Sequence, residues 1–593
     1  MKFLRNLLAS ILGSIIGFIL LFFIGILIIV SIAVSSSSDK PIEIKENTVL
    51  VFKFDKPMVD RSTDNPFSTF DLPMFNEYSS YGLYNIVETL DAASQDPKVD
   101  GLYIDSKMEF MAPYATATEL RDALLKFKES GKFIYTYIEN STQKAYYVAS
   151  IADSIIINPE GSIFLSGLTS EKVYYKNVLD KAGVKIQVLK GEGNIYKSAV
   201  ERYYRSEISK EDRRQTQKYL NDIWSKITQD VTTSRNISTE EFNLCADSMA
   251  TFSNAKNALK YKLVDNLKYK DQVINDLKKL TNRDKDQELR TVDISKYDNS
   301  DKKLKKYHKN KIAVIFAQGA IVDNTSDFNE INPDKIARAI RKARENENIK
   351  AVVFRVNSPG GSAYGSEQIW REVELTKKVK PVIISMGDYA ASGGYYISCA
   401  GTKIIADKNT ITGSIGIYTI IPNAKELVQN KIGVTFDFVS TNKNGVPINL
   451  TEPLNPFQRR LFQNRINKGY ELFVSRVSNG RNIPVNKIKE IARGRVWSGA
   501  EAVKIGLVDE IGDLQRAIKV AEETAKVEDF EVVAYPKVKD PFSELLDKGI
   551  KGIQINIAKD AIGKTNYKMW KEISRVKDFN GNYAILPYYE TIH

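Results

Sequence analysis

PVIISMGDYAASGGYYISCA, residues 381–400, opens with an apolar, β-branched run and closes in small residues able to start a helix. Pro381 to Met386 reads as a buried strand, Gly387-Asp388 as a turn, and the glycines after Ser392 as a helix start. Ser392 then stands at a strand-to-helix junction. Its neighbours are small enough for a substrate carbonyl to approach, and the first free N–H groups of the helix lie beside it. Such junctions also occur at turns with no chemistry, so the rest of the chain has to decide.

Outward from this point the pattern repeats. IAVIFAQGAI, DKIARAIRKARENEN, AVVFRVNSP, a helix after Gly361 and then PVIISM alternate strand and helix, which predicts an α/β fold with a largely parallel sheet. AYYVAS at 145–150 is echoed by GYYISC at 394–399, an offset of 249 residues. LVDN at 263–266 is echoed by LVDE at 507–510, and SRNIS from 234 by GRNIP from 480. Landmarks recurring in one order predict two homologous halves. We expect an N-terminal domain over 47–290, a charged linker over 291–311, a C-terminal domain over 312–535 and an extension of unknown role over 536–593.

The repeat is most informative where it breaks. Shifted by 249, Ser392 falls on Gln143, and Ser358-Pro359-Gly360-Gly361 falls near Ser106 to Glu109. In the other direction, Lys197 of GEGNIYKSAVERY falls on Val446. Each half lacks what the other keeps, as expected of a duplicated enzyme whose halves divide one site. Ser392 with Lys197 is the predicted dyad.

Composition supports a lysine base. The chain has two histidines, His308 in a charged run and His593 at its end, and neither is a good place for an oriented base. Two cysteines, Cys245 and Cys399, argue against zinc sites and a disulfide framework, and no metal or cofactor is expected. A serine hydroxyl needs a base to take its proton. A free lysine, with a pKa of about 10.4, is protonated at neutral pH, so burial has to lower it. Ile195, Tyr196, Ala199 and Val200 are the expected apolar setting. The Gly393 N–H, with that of Gly361 or Gly360, is the candidate oxyanion hole.

At the other end, Leu7 to Val34 carries 28 residues without a charge, more than a helix of about 1.5 Å per residue needs for a core of about 30 Å. Lys2 and Arg5 precede it, which predicts a single-pass anchor within residues 1–38 and everything after Ser35 outside the cytoplasm. The run is longer than a cleavable signal segment. The net charge of +12 comes from scattered Lys and Arg, so nucleic acid is not an expected partner and an anionic membrane surface is.

SPGG at 358–361, GDYAASGGYYIS at 387–398, TGSIGI at 412–417, YKSAVE at 196–201 and VWSGAEAVKIGLVDEIG at 496–512 together resemble the signal peptide peptidase A family, also called protease IV, in its long duplicated bacterial form. The resemblance implies tandem Clp/crotonase-like domains behind a transmembrane helix and a serine peptidase acting through Ser392 and Lys197. It implies that Ser414 orients the lysine. It also implies a homotetramer in the cytoplasmic membrane, with cleaved signal peptides and other hydrophobic peptides as substrates. A crotonase-type acyl-CoA enzyme and an inactive membrane scaffold are the rival expectations.

Overall fold

The computed structural model describes residues 44–62, 80–106, 109–297, 308–325, 327, 329–445, 448–536 and 583–585, with scattered helical positions between 10 and 24. The expected anchor, Leu7 to Val34, lies largely outside these residues. Among the described residues, no helix is long and apolar enough to cross a membrane.

Two largely parallel sheets carry the molecule. The first has the spatial order Asn266–Leu267, Ser154–Phe164, Phe133–Thr142, Val99–Ser106, Thr48–Lys53, Thr291–Asp293. The second has the order Glu510–Ile511, Lys403–Ala406, Val382–Ala391, Ile349–Ser358, Asn310–Gln318, Phe530–Tyr535, and adds a branch in which Ile411–Gly413 pairs with the end of Val382–Ala391 and Val496–Ser498 pairs antiparallel with Ile411–Gly413. The two orders match strand for strand. Central strands read as continuous β-branched runs because helices cover both faces, and every residue of Val382–Ala391 is buried.

The echoed motifs mark contacts that each half makes once. Helices Lys210–Arg235 and Pro456–Arg481 both stop at a left-handed asparagine, Asn236 at φ 50° and Asn482 at φ 53°, in SRNIS and GRNIP. The arginine before each asparagine pairs with the aspartate of the LVD motif, Arg235–Asp265 at 2.6 Å and Arg481–Asp509 at 2.5 Å. The first tyrosine of each YY pair donates its hydroxyl to the LVD leucine carbonyl, Tyr146 to Leu263 at 2.7 Å and Tyr395 to Leu507 at 2.8 Å.

Two expectations change. Gly387-Asp388 is not a turn, because the strand runs on to Ala391. Asp388 is buried there, where its carboxylate accepts from the Thr116 N–H at 2.8 Å and the Thr116 hydroxyl at 2.7 Å. The charged connector is also shorter than 291–311, since Thr291–Asp293 extends the first sheet beside Val49–Val51 and Asn310 already belongs to the second.

The halves are locked together beside the Ser392 strand. Arg355 is 1% exposed and its guanidinium donates to Asp60 at 2.9 Å and Glu119 at 2.8 Å, both from the first half. Tyr389, Ala391, Ile411 and Val496 of the second half sit in the first half's apolar core. A third, mixed sheet crosses between them. Its order is Glu330–Ile331, Ala320–Ile321, Gly360–Ser362, Tyr583–Ile585, Tyr418–Asn423, Lys185–Lys190, so the first half supplies one of its edges.

Candidate active site

Ser392 ends the fully buried strand Val382–Ala391 and caps the helix Gly393–Ser398. Its backbone sits at φ 57°, ψ −114°, a region that costs a non-glycine residue on the order of 1–3 kcal/mol. The Ser392 N–H donates to the Gly413 carbonyl at 2.8 Å, and its own carbonyl accepts from the Tyr396 N–H at 2.8 Å. These bonds hold a sharp turn that carries the hydroxyl out of the sheet. Glycine is required beside it, because a Cβ on Gly394 would lie 2.4 Å from the Ser358 carbonyl oxygen.

Lys197 arrives from the other half. After strand Lys185–Lys190, paired antiparallel with Tyr418–Asn423, the chain turns inward and places Lys197 just before a short 3₁₀ helix, Ser198–Tyr203. The side chain is completely buried, and its Nζ lies 2.6 Å from Ser392 Oγ and 2.9 Å from both the carbonyl and the hydroxyl oxygen of Ser414. Burial drives the ammonium pKa well below its ordinary value, and the positive charge of Lys190 adds to the effect. No carboxylate touches this nitrogen among the hydrogen bonds described, so nothing there offsets the desolvation. The apolar setting differs from expectation at one place: Ala199 and Val200 are buried, but Ile195 is 42% exposed and does not shield the amine.

Ser414 is held in the left-handed region at φ 51°, and its N–H donates to the Arg495 carbonyl at 2.7 Å. Gly361 pairs with Ile321 on one edge of its strand, and a Cβ there would lie 2.0 Å from the Ile321 carbonyl oxygen. The Gly360 N–H is engaged with Ser358 Oγ at 3.1 Å, and Gly361 is paired on its other edge with Ala584. Gly393 opens the helix, where its N–H has no partner four residues back. His308 pairs with Asp529 at 2.8 Å and takes no part in this cluster.

Other residues fix the lysine loop without showing themselves in the sequence. Gln215 Nε2 donates to the Tyr196 carbonyl at 3.2 Å and to Ser198 Oγ at 3.1 Å, while its Oε1 accepts from the Val496 N–H at 3.2 Å. The Ser198 hydroxyl donates to Asp212 at 2.8 Å. Gly494, at φ 75°, packs so tightly that a Cβ would lie 2.7 Å from Lys197 Cβ. A glycine between two arginines in ARGRVW is the one visible signal; Gln215 sits in an ordinary helical pattern and gives none.

With this geometry in place, similarity to known proteins becomes informative. The model of peptidase family S49 matches residues 126–284 and 374–528, one segment in each half. The chain is 33% identical to Protease 4 of Haemophilus influenzae, over 94% of this chain and 93% of that one. It is 33% identical to the chloroplastic serine protease SPPA of Arabidopsis thaliana, over 79% of this chain and 69% of that one. A ClpP1 chain from Listeria monocytogenes overlays with a TM-score of 0.24 at 14% identity, covering 35% of this chain and 94% of that one. Matches in both halves and along nearly the full length of a relative establish that the chain belongs to peptidase family S49.

Proposed function

We propose that the chain is a serine endopeptidase in which Ser392 is the nucleophile, Lys197 the general base and Ser414 the group that orients the lysine. The observation that carries this reading is the 2.6 Å contact between a fully buried Lys197 Nζ and Ser392 Oγ. A neutral amine there takes the hydroxyl proton as Oγ attacks the scissile carbonyl. The N–H groups of Gly393 and Gly361 receive the oxyanion. Lys197 then returns the proton to the leaving amine as the C–N bond breaks, leaving an ester on Ser392. Next it takes a proton from water, whose oxygen attacks that ester, and the freed carboxyl product leaves with the serine restored. Ser414 offers two oxygens to the Nζ donors, which aims the lone pair at Ser392.

Two Clp/crotonase-like domains, the first reaching Asp293 and the second beginning by Asn310, divide this one site. The apolar run Leu7 to Val34 favours a single-pass anchor in the bacterial cytoplasmic membrane, with both domains outside the cytoplasm. Hydrophobic peptides released there, above all cleaved signal peptides, are the substrates that fit such a placement. The relatives named Protease 4 and serine protease SPPA support the protease part of this reading alone, and we extend it to a homotetramer.

The test is hydrolysis of a fluorogenic hydrophobic peptide by the full chain in detergent. Ser392→Ala and Lys197→Ala should each abolish turnover with the fold intact by circular dichroism. Activity retained in Lys197→Ala would place the base elsewhere. Wild-type chain without turnover would favour an inactive scaffold.

A further inference from the structure

Away from the dyad, the two halves build one helix junction in different ways. In the first half, Arg121 of the helix Tyr114–Glu129 is 2% exposed, and its guanidinium donates to the Tyr147 carbonyl at 2.7 Å, Ser150 Oγ at 2.8 Å, the Asp230 carbonyl at 3.1 Å and Ser234 Oγ at 2.5 Å. One side chain there joins three helices. Shifted by the 249-residue offset, Arg121 falls on Trp370, Tyr147 on Tyr396 and Ser150 on Cys399. Shifted by the 246 residues that separate Asn236 from Asn482, Asp230 falls on Arg476 and Ser234 on Gly480. The second half lacks the bridging arginine and both hydroxyls that receive it.

In its place is a cavity of about 470 Å³ between the helices Ala363–Lys377 and Pro456–Arg481. Trp370 lines it and is 6% exposed, and its buried Nε1–H has no hydrogen-bond partner among the described residues, which calls for an explanation. Four cations, Arg371, Lys377, Lys378 and Arg476, share the lining with a single carboxylate, Glu374. The Arg476 guanidinium lies 3.7 Å from the centre of the Trp370 ring. It is held there by Glu367, which accepts from its Nη2 at 2.6 Å and from the Tyr396 hydroxyl at 2.6 Å. Lys377 closes its helix and donates to the Gly401 carbonyl at 3.2 Å, as a cation at a helix end does. That attraction fades within one turn, and Arg371 and Arg476 each lie more than a turn from the end of their helix, so it does not account for them.

We propose that this cavity binds a phosphate group, carried by free phosphate or by the headgroup of an anionic lipid. A guanidinium fork and ammonium groups are the side chains that hold phosphate oxygens through charge-assisted hydrogen bonds, and the indole N–H adds a neutral donor in the same wall. The excess of cations over carboxylates favours an anion over a neutral ligand. In the first half the guanidinium of Arg121 makes the bridging contacts with the chain's own oxygens, whereas in the second half the donors line a cavity and the oxygens come from the ligand. The site is separate from Ser392 and Lys197, and it stands whether or not the peptidase reading does.

The experiment is isothermal titration calorimetry on the full chain in a neutral detergent, with inorganic phosphate in one arm and dihexanoyl phosphatidylglycerol in the other. Saturable binding is expected, weakened about tenfold or more in Arg371→Gln/Lys378→Gln, which removes two charge-assisted donors. Trp370→Phe keeps a ring under Arg476 but loses the N–H, and should weaken binding about fivefold. Lys278→Gln/Lys279→Gln takes the same charge from the helix Lys270–Leu280 of the first half and should bind as the unaltered chain does. Lipid binding tighter than inorganic phosphate, and weakened by the Arg371/Lys378 pair, assigns a headgroup; inorganic phosphate binding at least as tightly assigns free phosphate. No saturable binding of either probe, or equal losses in the two double variants, would overturn the proposal. Because calorimetry needs no turnover, a failure of the peptidase reading would show in the peptide assay alone.

Discussion

The same strand-to-helix junction occurs in both halves, and only one of them is strained. In the second half, Val382–Ala391 passes into its helix through Ser392 at φ 57°. In the first, Phe133–Thr142 passes into Gln143–Ala149 through Thr142 at φ −78°, whose hydroxyl accepts from the Ala145 N–H as an ordinary helix cap. Gln143 stands where Ser392 would, and its amide closes the place off: Oε1 accepts from the Ser166 and Gly167 N–H groups and Nε2 donates to the Gly167 carbonyl at 2.7 Å. One half satisfies its own polar groups locally. The other holds a strained serine whose partner, Lys197, comes from across the molecule. Backbone strain and a desolvated lysine are costs that a fold is expected to keep only where chemistry uses them.

The largest effect should come from the dyad, where the contrast between halves is sharpest. Ser392→Ala and Lys197→Ala are each expected to lower kcat/KM for a hydrophobic peptide by about 10³-fold or more, and the double substitution should cost little beyond either alone. Independent, multiplying losses would break the view that the halves share one site. Next, Gly494→Ala forces a Cβ against Lys197 at a position of positive φ, and a displaced lysine should cost about 10²-fold in kcat. Circular dichroism and kinetics together separate this from general unfolding. Ser414→Ala leaves one of the two Ser414 oxygens on Nζ and should cost about tenfold. Gln143→Ser restores a hydroxyl to the relaxed junction, and no second activity should appear when it is combined with Ser392→Ala. Turnover in that double variant would mean that the first half needs only a serine.

The smallest predicted effect concerns pH. Lys197 must be neutral to act, so kcat/KM should rise with pH through the lysine's pKa and then level. Burial places that limb well below the ordinary lysine range. The Lys190 charge helps to hold the pKa down. Removing it in Lys190→Gln makes protonation of Lys197 easier, so the pKa rises and the limb moves to higher pH. A limb moving to lower pH, or not at all, would assign it to another group.

Much of the fold was legible because its determinants are local. The continuous β-branched runs and the echoed RNI, LVD and YY motifs are readable at their own positions, and the echoed motifs correspond to matching contacts in the two halves. The strand through Gly387 and Asp388 was not legible, since the turn-like pair is overridden by Thr116 on another domain. The proximity of Ser392 and Lys197 was reached by comparing what each half had lost. Ser414 came only through family resemblance. Gln215 and Gly494 act by touching a loop far away in sequence, and Tyr583–Ile585 is three residues without a periodic signal. Apart from the glycine between two arginines in ARGRVW, none of these leaves a local mark.

The division of one site between two halves is tested most directly by labelling with a serine-reactive fluorophosphonate, followed by peptide mass mapping. The account predicts a single adduct, on Ser392, formed rapidly in the wild type and in Gln143→Ala and suppressed in Lys197→Ala. An adduct on a different serine, or labelling of Ser392 at an undiminished rate without Lys197, would contradict it.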